Sequence, residues 1–227
     1  MLRVYRSNRA ELLAELLAQE LRIEPPGPFE QIEVVVNTWP TSRWLGEQLA
    51  RVNGISALVR FPFPGSRLRQ LVQTVLSDAP AIEDPWRAER LVWQVLDVLP
   101  NLLEEECASN LREWWELHGG REGQLNRDQW QLARSLADAV DDYALYRPEE
   151  LADWLAGGAG DQLPEGLRWQ PCLARALAAQ LPCRPFGLQV QQVIERLRNG
   201  EEPALPLPPR LRLFGVSNLA PVQINLL

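Results

Sequence analysis

The feature of this sequence that most constrains its fold is a short run of mainly β-branched residues, Ile32-Glu33-Val34-Val35-Val36. Such a run predicts a strand that is buried on both of its faces. Strands of this kind belong to parallel sheets that helices cover on either side, because the connection between two parallel strands has to cross over the sheet. The run therefore points to an α/β fold before any other feature is considered.

Amphipathic stretches flank this run on both sides, as a crossover topology requires. The first stretch carries leucines at helical spacing and ends near residue 21. The second spans about residues 43–52, with Thr41 or Ser42 as the expected N-cap, and closes at Asn53-Gly54. Both stretches are predicted to be helices that pack against the buried strand.

Further β-prone segments surround this unit, and they would complete a small parallel sheet. Leu2-Arg3-Val4-Tyr5 precedes the first helix, and Ala57-Leu58-Val59-Arg60-Phe61 follows the second. Near the end of the chain, Arg210-Leu211-Arg212-Leu213-Phe214 is a further short segment of the same kind. The order βαβαβ implies parallel pairing among the first three strands.

Helical patterns dominate between these segments. We expect an αβ part made of residues 1–65 and 205–227, and an all-helical subdomain of residues 66–204. The apolar helix that begins near Pro221 stops within two turns at Leu227, so we expect the natural chain to be longer. The predicted helices of the subdomain span about residues 66–77, 86–98, 109–117, 127–145, 149–156, 166–180 and 187–198.

The residue types that are missing exclude most catalytic machinery. All 23 basic residues are arginines and the sequence contains no lysine, which removes Schiff-base chemistry and the phosphate-binding lysine of a P-loop. A single histidine, His118, rules out a two-histidine mechanism within this chain. We therefore expect no catalytic residue, no cofactor, no metal, and no binding or hydrolysis of ATP.

The cysteine and hydropathy patterns suggest a cytoplasmic location. Cys107, Cys172 and Cys183 are far apart and form no Cys-x-x-Cys pair, so we expect all three to be reduced. The charged start of the chain lacks the apolar core of a signal peptide. No apolar run approaches the ~18 residues that a membrane span needs, and we expect no contact with a membrane.

Charge divides the sequence into a slightly basic and a strongly acidic part. Residues 1–73 have a net charge of +2, whereas residues 74–227 have −9. A surface for nucleic acid would therefore be local, and the first part is the better place for it.

In that first part, the aromatic segment Phe61-Pro62-Phe63-Pro64 lies among Arg60, Arg67 and Arg69. Aromatic rings that stack on bases, beside guanidinium groups that contact phosphates, suit the binding of single-stranded nucleic acid. The alternative is a packed strand-to-helix corner with both phenylalanine rings in the core.

Two further patterns are candidates for contact with bases. Asp138, Asp141 and Asp142 share one helix face, and Arg147 follows them. Carboxylates can accept hydrogen bonds from cytosine N4, although a solvated acidic face with a locally paired Arg147 would have the same sequence. Trp39 is expected in the loop after the buried strand, where α/β proteins contact ligands.

Most of the nine tryptophans fall at helical apolar spacing. Trp86 and Trp93 are seven residues apart, the spacing of two residues on one face of a helix. We therefore expect both of them in the core of the helical subdomain.

Several motifs in the same order resemble those of one known family, RecC, the gamma subunits of exodeoxyribonuclease V. The resemblance covers essentially all 227 residues and is to the N-terminal part of that family. The motifs are Leu2-Arg3-Val4-Tyr5-x-Ser7-Asn8-Arg9, Trp44-Leu45, Gly54-Ile55, Phe61-Pro62-x-Pro64, Asp141-x-Tyr143-x-x-Tyr146-Arg147-Pro148 with Leu151 and Trp154, and Gly215-x-Ser217-x-Leu219-x-Pro221-Val222.

This resemblance implies a superfamily 1 helicase-like parallel sheet that lacks the ATP site and carries a large all-helical insertion. It implies a non-catalytic scaffold and DNA-guiding subunit of an ATP-dependent helicase and nuclease for double-strand break repair. RecB-like and RecD-like subunits would be its partners, and single-stranded DNA its ligand, with the 3′ strand scanned for the Chi octamer. The alternative is a docking domain for the motor subunit that makes no direct contact with DNA.

The resemblance also assigns positions to the scanning channel. Residues that match those of the family there are Asp138, Asp141 and Arg147. Residues that occupy channel positions with different side chains are Asn37, Trp39, Arg43, Phe63, Arg69 and Asp142. Because an arginine and a tryptophan replace small or amide groups, we expect other bases to be read at those positions, or none.

Overall fold

The computed structural model describes residues 3–27, 29–76, 84–118 and 125–226. Over these residues the chain forms ten α-helices, three short strands and two 3₁₀ turns, Glu106–Ala108 and Glu165–Leu167. The strands are β1 (Ile32–Val35), β2 (Val59–Arg60) and β3 (Arg212–Leu213). The helices are α1 (Ala10–Ile23), α2 (Trp39–Asn53), α3 (Pro64–Val75), α4 (Ala88–Leu103), α5 (Ser109–Leu117), α6 (Arg127–Tyr146), α7 (Pro148–Leu155), α8 (Trp169–Gln180), α9 (Phe186–Arg198) and α10 (Pro221–Leu226).

The strands form a parallel sheet in the order β2-β1-β3, so the β-branched run is the central strand. Ile32 is in register with Val59 and Val34 with Arg212. This confirms an α/β fold that is mostly helical with a small parallel sheet. The strand predicted at residues 2–5 is wrong for its described part: Arg3 to Tyr5 are exposed and outside the sheet, and β1 already has a neighbour at each edge. Leu2 lies outside the described residues.

Contacts divide the described chain into two compact units. The αβ unit holds the residues up to Leu71 together with Pro206–Leu219, and the helical unit holds Val72–Leu205 and the chain from Ala220 onward. We expected residues 205–227 to join the sheet as a whole. Their last part clusters with the helical unit because α10 packs on α9 and α6.

Burial on both faces of β1 explains why its sequence is so uniformly apolar. Val34 and Val36 are inaccessible to solvent and pack with α1 and α2 in one hydrophobic cluster. On the other face Val35 is also buried. Glu33 lies on the same face and forms an ion pair with Arg67 of α3, with 2.7 Å between Arg67 Nε and Glu33 Oε2.

The helix α2 begins earlier than the sequence predicts. Thr38 has extended backbone, and its side chain accepts a hydrogen bond from the Thr41 amide at 3.2 Å. Pro40 then occupies the first turn, where a missing amide hydrogen costs nothing. The expected caps at Thr41 and Ser42 are therefore wrong, and Trp39 lies on the first turn of a helix and not in a loop.

The core of the helical unit is built around Trp86 and the helices α4, α6 and α8. Trp86 is 1% exposed, and its indole donates a hydrogen bond to the Cys183 carbonyl at 2.8 Å. Trp93 is 61% exposed, so the expectation that both tryptophans are core residues is wrong for Trp93. Trp86 precedes α4, which starts at Ala88, so the spacing of seven residues does not describe one helix.

The cysteines depart from the expectation that all three are reduced. The structure joins Cys107 and Cys172 as a disulfide and leaves Cys183 free. The partners are 65 residues apart in sequence, but the 3₁₀ turn that holds Cys107 packs against α8, which holds Cys172. This proximity depends on tertiary packing and has no local sequence pattern.

Cys183 is expected to react slowly with alkylating reagents at neutral pH. Burial, together with the nearby Asp84 carboxylate, raises the pKa of its thiol to about 11, against about 8.5 for a free cysteine. Because the thiolate is the nucleophile, the rate should keep rising with pH until about 11. Peptide mass spectrometry of iodoacetamide labelling across pH measures this midpoint, and a midpoint near that of free cysteine would contradict it.

Within the described residues, none of the helices combines the length and the apolar character that crossing a membrane requires.

Candidate nucleic-acid interface

The carboxyl ends of the three strands bring the candidate residues of the αβ unit to one edge of the sheet. The Val36 amide donates to the Pro62 carbonyl at 3.1 Å, and the Phe214 amide donates to the Val35 carbonyl at 2.9 Å. The segments that leave β1, β2 and β3 are therefore held side by side. Ligands of open α/β sheets bind at such an edge.

Two aromatic rings meet at this edge and remain open to solvent. Trp39, on the first turn of α2, is 76% exposed, and Phe63, directly before α3, is 36% exposed. Their ring centroids are 6.1 Å apart with an interplanar angle of 78°, an edge-to-face contact. Phe63 is flanked by two prolines, which restrict the backbone that carries it. The pair is an exposed aromatic surface on a stiff support.

Polar groups lie beside the rings. Asn37, which is half-buried, donates from Nδ2 to the Ser217 hydroxyl at 3.5 Å. Sequence reasoning did not select Ser217, although it belongs to the motif after β3, where Gly215 adopts a φ of +61° that favours glycine. The hydrogen bond ties the segment after β1 to the segment after β3.

The arginines of the αβ unit have different surroundings. Arg43 is exposed and lies one helical turn after Trp39, so it shares that face of α2. Arg67, by contrast, forms an ion pair with Glu33. Arg69 lies on α3 and is half-buried. Arg43 is therefore the best placed of these cations to meet a phosphate near the ring pair.

The three candidate aspartates of α6, Asp138, Asp141 and Asp142, do not share one environment. Asp138 and Asp142 are exposed, whereas the side chain of Asp141 is only 14% exposed. Asp141 Oδ2 accepts from the Ala88 amide at 3.1 Å and lies 3.7 Å from Arg87 Nε. The N-cap residue of α4, Arg87, makes no side-chain capping hydrogen bond. Asp141, from another helix, supplies the missing acceptor at the N-terminus of α4.

Arg87 is the partner that sequence reasoning missed. Its burial lowers the guanidinium pKa, but the carboxylates of Asp141 and Glu89 outweigh this and raise the pKa above its ordinary value. No local motif links Arg87 to a residue 54 positions away. The pair depends on the packing of α4 against α6.

Arg147 ends α6 and is 62% exposed at its side chain. Its guanidinium lies 5.8 Å from the centre of the Tyr143 ring, and its Nη1 is 3.5 Å from Glu150 Oε1. These are surface contacts, and such exposed ion pairs contribute little to stability. The guanidinium thus remains accessible to a ligand.

The predicted residues fall in two groups by unit, Trp39 and Phe63 are in ring contact, and Arg69 lies half-buried on α3. Asn37, Trp39, Arg43 and Phe63 surround the carboxyl edge of the sheet in the αβ unit. The second group, in the helical unit, consists of Asp138, Asp141 and Arg147. Each group is described within its own unit, and the idea that they form two walls of one channel stays a prediction.

Comparison with known proteins gives consistent matches over the whole chain. The family described as RecC, N-terminal domain, matches residues 2–227. Three relatives named RecBCD enzyme subunit RecC align with all of this chain: 35% identical in Mycobacterium tuberculosis (strain CDC 1551 / Oshkosh), 32% in Mycolicibacterium smegmatis and 33% in Escherichia coli K12. The chain covers 20–21% of their length, so it spans about a fifth of these relatives.

Proposed function

The chain belongs to the RecC N-terminal domain family, and from that premise we propose that it is part of the RecC subunit of a RecBCD-type helicase and nuclease. In this role it is a scaffold that guides single-stranded DNA and has no chemistry of its own. RecB-like and RecD-like subunits are its partners in the assembly. The relatives' printed name, RecBCD enzyme subunit RecC, supports the assignment to such a complex.

A helicase-like sheet without an ATP site is the fold we propose for the αβ unit. The parallel sheet with a buried central strand and covering helices suits that architecture. The absence of lysine from the sequence supports loss of the ATP site, because a P-loop needs a lysine on the β- and γ-phosphates. A subunit of this kind keeps the framework of a motor and uses its surface to hold DNA.

The observation that carries the DNA-guiding role is the exposed pair of Trp39 and Phe63 at the carboxyl edge of the sheet. Buried rings would belong to the core, but a ring that is 76% exposed loses nothing by stacking on a base. Arg43 lies on the same helix face, where it can follow the phosphates of the strand. Rings with adjacent cations are what single strands require.

We propose that the helical unit reads the bases of the Chi octamer. Asp138 and Arg147 are exposed in the helical unit, and their side chains can address cytosine N4 and the guanine O6/N7 edge. The helical unit would then contribute specificity, while the aromatic pair of the αβ unit contributes affinity. This division matches the charge of the two parts, since the first 73 residues are slightly basic and the rest is acidic.

Substitution Trp39→Ala should weaken binding of a fluorescent oligothymidine by at least about fivefold, because a stacked base contributes ~1–3 kcal/mol. Trp39→Phe keeps a ring and should retain most of the affinity. Fluorescence anisotropy across a salt series measures both variants and the unchanged chain. Affinity should fall as salt rises, because phosphate contacts release counterions.

Trp93→Ala is the matched control, since Trp93 is another exposed tryptophan but lies in the helical unit. Equal affinity for the Trp39→Ala and Trp93→Ala chains would show that the aromatic pair is not the binding surface. If neither the chain nor the assembled complex with Trp39→Ala shows any change in DNA binding, the docking role without DNA contact becomes the better explanation.

A further inference from the structure

Glu105, Cys107 and Cys172 bring three metal-ligating atoms to one place, within 4.8 Å of one another. Glu105 directly precedes the 3₁₀ turn that contains Cys107, and Cys172 lies on the first turn of α8. We propose that, when the two cysteines are reduced, these three side chains bind a zinc ion. Water completes the coordination as the fourth ligand.

The donor set suits zinc rather than magnesium or calcium. Two thiolates and one carboxylate are ordinary zinc ligands, whereas the harder ions prefer oxygen donors alone. A zinc ion with three protein ligands and one water is also a known arrangement. The expectation of no metal relied on the single histidine and on the absence of Cys-x-x-Cys spacing. A site assembled from a turn and a distant helix needs neither a second histidine nor that spacing.

The separation of the two backbones fits two thiolates around an ion. The Cα atoms of Cys107 and Cys172 are 7.1 Å apart, beyond the range of about 4.4–6.8 Å in which most disulfides are found. Zinc–sulfur bonds of about 2.3 Å at a tetrahedral angle place two sulfur atoms roughly 3.8 Å apart. The wider spacing of the two Cα atoms therefore suits a bound metal ion.

Neighbouring arginines hold the site in place. Arg175 Nη2 is 3.6 Å from Cys172 Sγ, where its charge favours the thiolate. The same guanidinium donates to the carbonyls of Trp154 and Gly158 at 3.3 and 3.0 Å, so its position is fixed. On the other side Arg112 donates to the backbone carbonyl of Glu105 at 2.9 Å and orders the turn. Such outer contacts orient metal ligands.

The disulfide and the zinc site are two states of the same sulfur atoms. A phosphine reductant takes oxygen from water and becomes a phosphine oxide, and the two hydrogens of that water protonate the two sulfurs as the disulfide bond breaks. Zinc binding then displaces both thiol protons to solvent, because thiolates are the ligands. Oxidation of the pair by a disulfide reagent should release the ion.

Cobalt is the probe that tests the site, because thiolate ligands give bound Co²⁺ a charge-transfer absorption that carboxylates do not give. The full chain, reduced with a phosphine, should bind one Co²⁺ with this absorption, and Zn²⁺ should displace it. Cys107→Ser and Cys172→Ser should each abolish the two-thiolate spectrum. Glu105→Gln should weaken the affinity by at least about tenfold, since even loss of a group that only orients a ligand costs about 10–100-fold.

Cys183→Ser is the matched control and should bind Co²⁺ like the unchanged chain, since Cys183 lies outside the cluster. Far-UV circular dichroism of each variant shows whether loss of binding is accompanied by loss of the fold. The proposal is overturned if the reduced, folded chain binds Co²⁺ without thiolate absorption or does not bind it. It is equally overturned if Cys183→Ser removes the signal.

Discussion

Replacement of Trp86 by alanine is expected to lower the free energy of unfolding of the helical unit by about 3–5 kcal/mol. Trp86 is the largest of the fully buried side chains and packs among residues of α4, α6 and α8. Removal of the indole leaves a cavity between three helices that they cannot fill by moving closer. It also removes the hydrogen-bond donor to the Cys183 carbonyl. Domains are stable by only ~5–15 kcal/mol, so this loss is large.

Trp93→Ala supplies the comparison, because the same side chain is removed from a surface position of the same unit. Trp93 is 61% exposed and rests on the Trp130 ring, with 5.0 Å between centroids. Its loss should cost about 0.5–1.5 kcal/mol, the value of an aromatic pair. Urea unfolding followed by far-UV circular dichroism measures both variants. Equal shifts in the two midpoints would contradict the burial that distinguishes them.

The sheet could be predicted from sequence because its central strand is buried on both faces. Three consecutive buried valines, Val34, Val35 and Val36, require a covered strand. The adjacent amphipathic stretches cover the face of Val34 and Val36. The strand expected at Leu2–Tyr5 shows the limit of the same reasoning. Its residues favour β structure, but whether a segment joins a sheet also depends on where the tertiary fold places it, which no local pattern specifies.

Helix spacing predicted most helices within a few residues, yet it placed two tryptophans wrongly. Trp39 was expected in a loop because Thr41 or Ser42 was the expected N-cap, whereas Thr38 caps the helix and Pro40 is well tolerated in its first turn. Trp93 looked like a core residue because it is seven positions from Trp86, although the helix begins between them. In both cases the position of the helix start decided the outcome.

For the candidate site, the sequence could propose residues but not the contacts that they make. The resemblance selected Asp141 and Arg147, and the interleaved rings selected Phe63. The pairing of Asp141 with Arg87 and of Cys107 with Cys172 joins segments that are distant in sequence. Such partners are determined by how α4, α6 and α8 pack, and this requires the whole helical unit.

Asp141→Ala is expected to lower the free energy of unfolding of the helical unit by about 1.5–3 kcal/mol, the contribution of a hydrogen bond to a charged group. The substitution leaves the Ala88 amide and the Arg87 guanidinium without this acceptor. Asp141→Asn keeps a carbonyl oxygen for the amide and should recover part of the loss. Asp138→Ala removes an exposed carboxylate and should change stability by no more than about 0.5 kcal/mol.

Asp141→Ala and Asp138→Ala, together with Arg147→Ala, separate stability from base reading once they are placed in the assembled complex. If the proposed reading of Chi is correct, Asp138→Ala and Arg147→Ala change which octamer halts digestion while unwinding continues, because a lost contact to a base edge removes ~1–3 kcal/mol of discrimination. Mapping of cleavage products on DNA with varied octamers records this. Unchanged products for both variants would contradict base reading by this face. If Asp141→Ala alone then weakened assembly, Asp141 would be a residue that stabilises the subunit and not one that reads DNA.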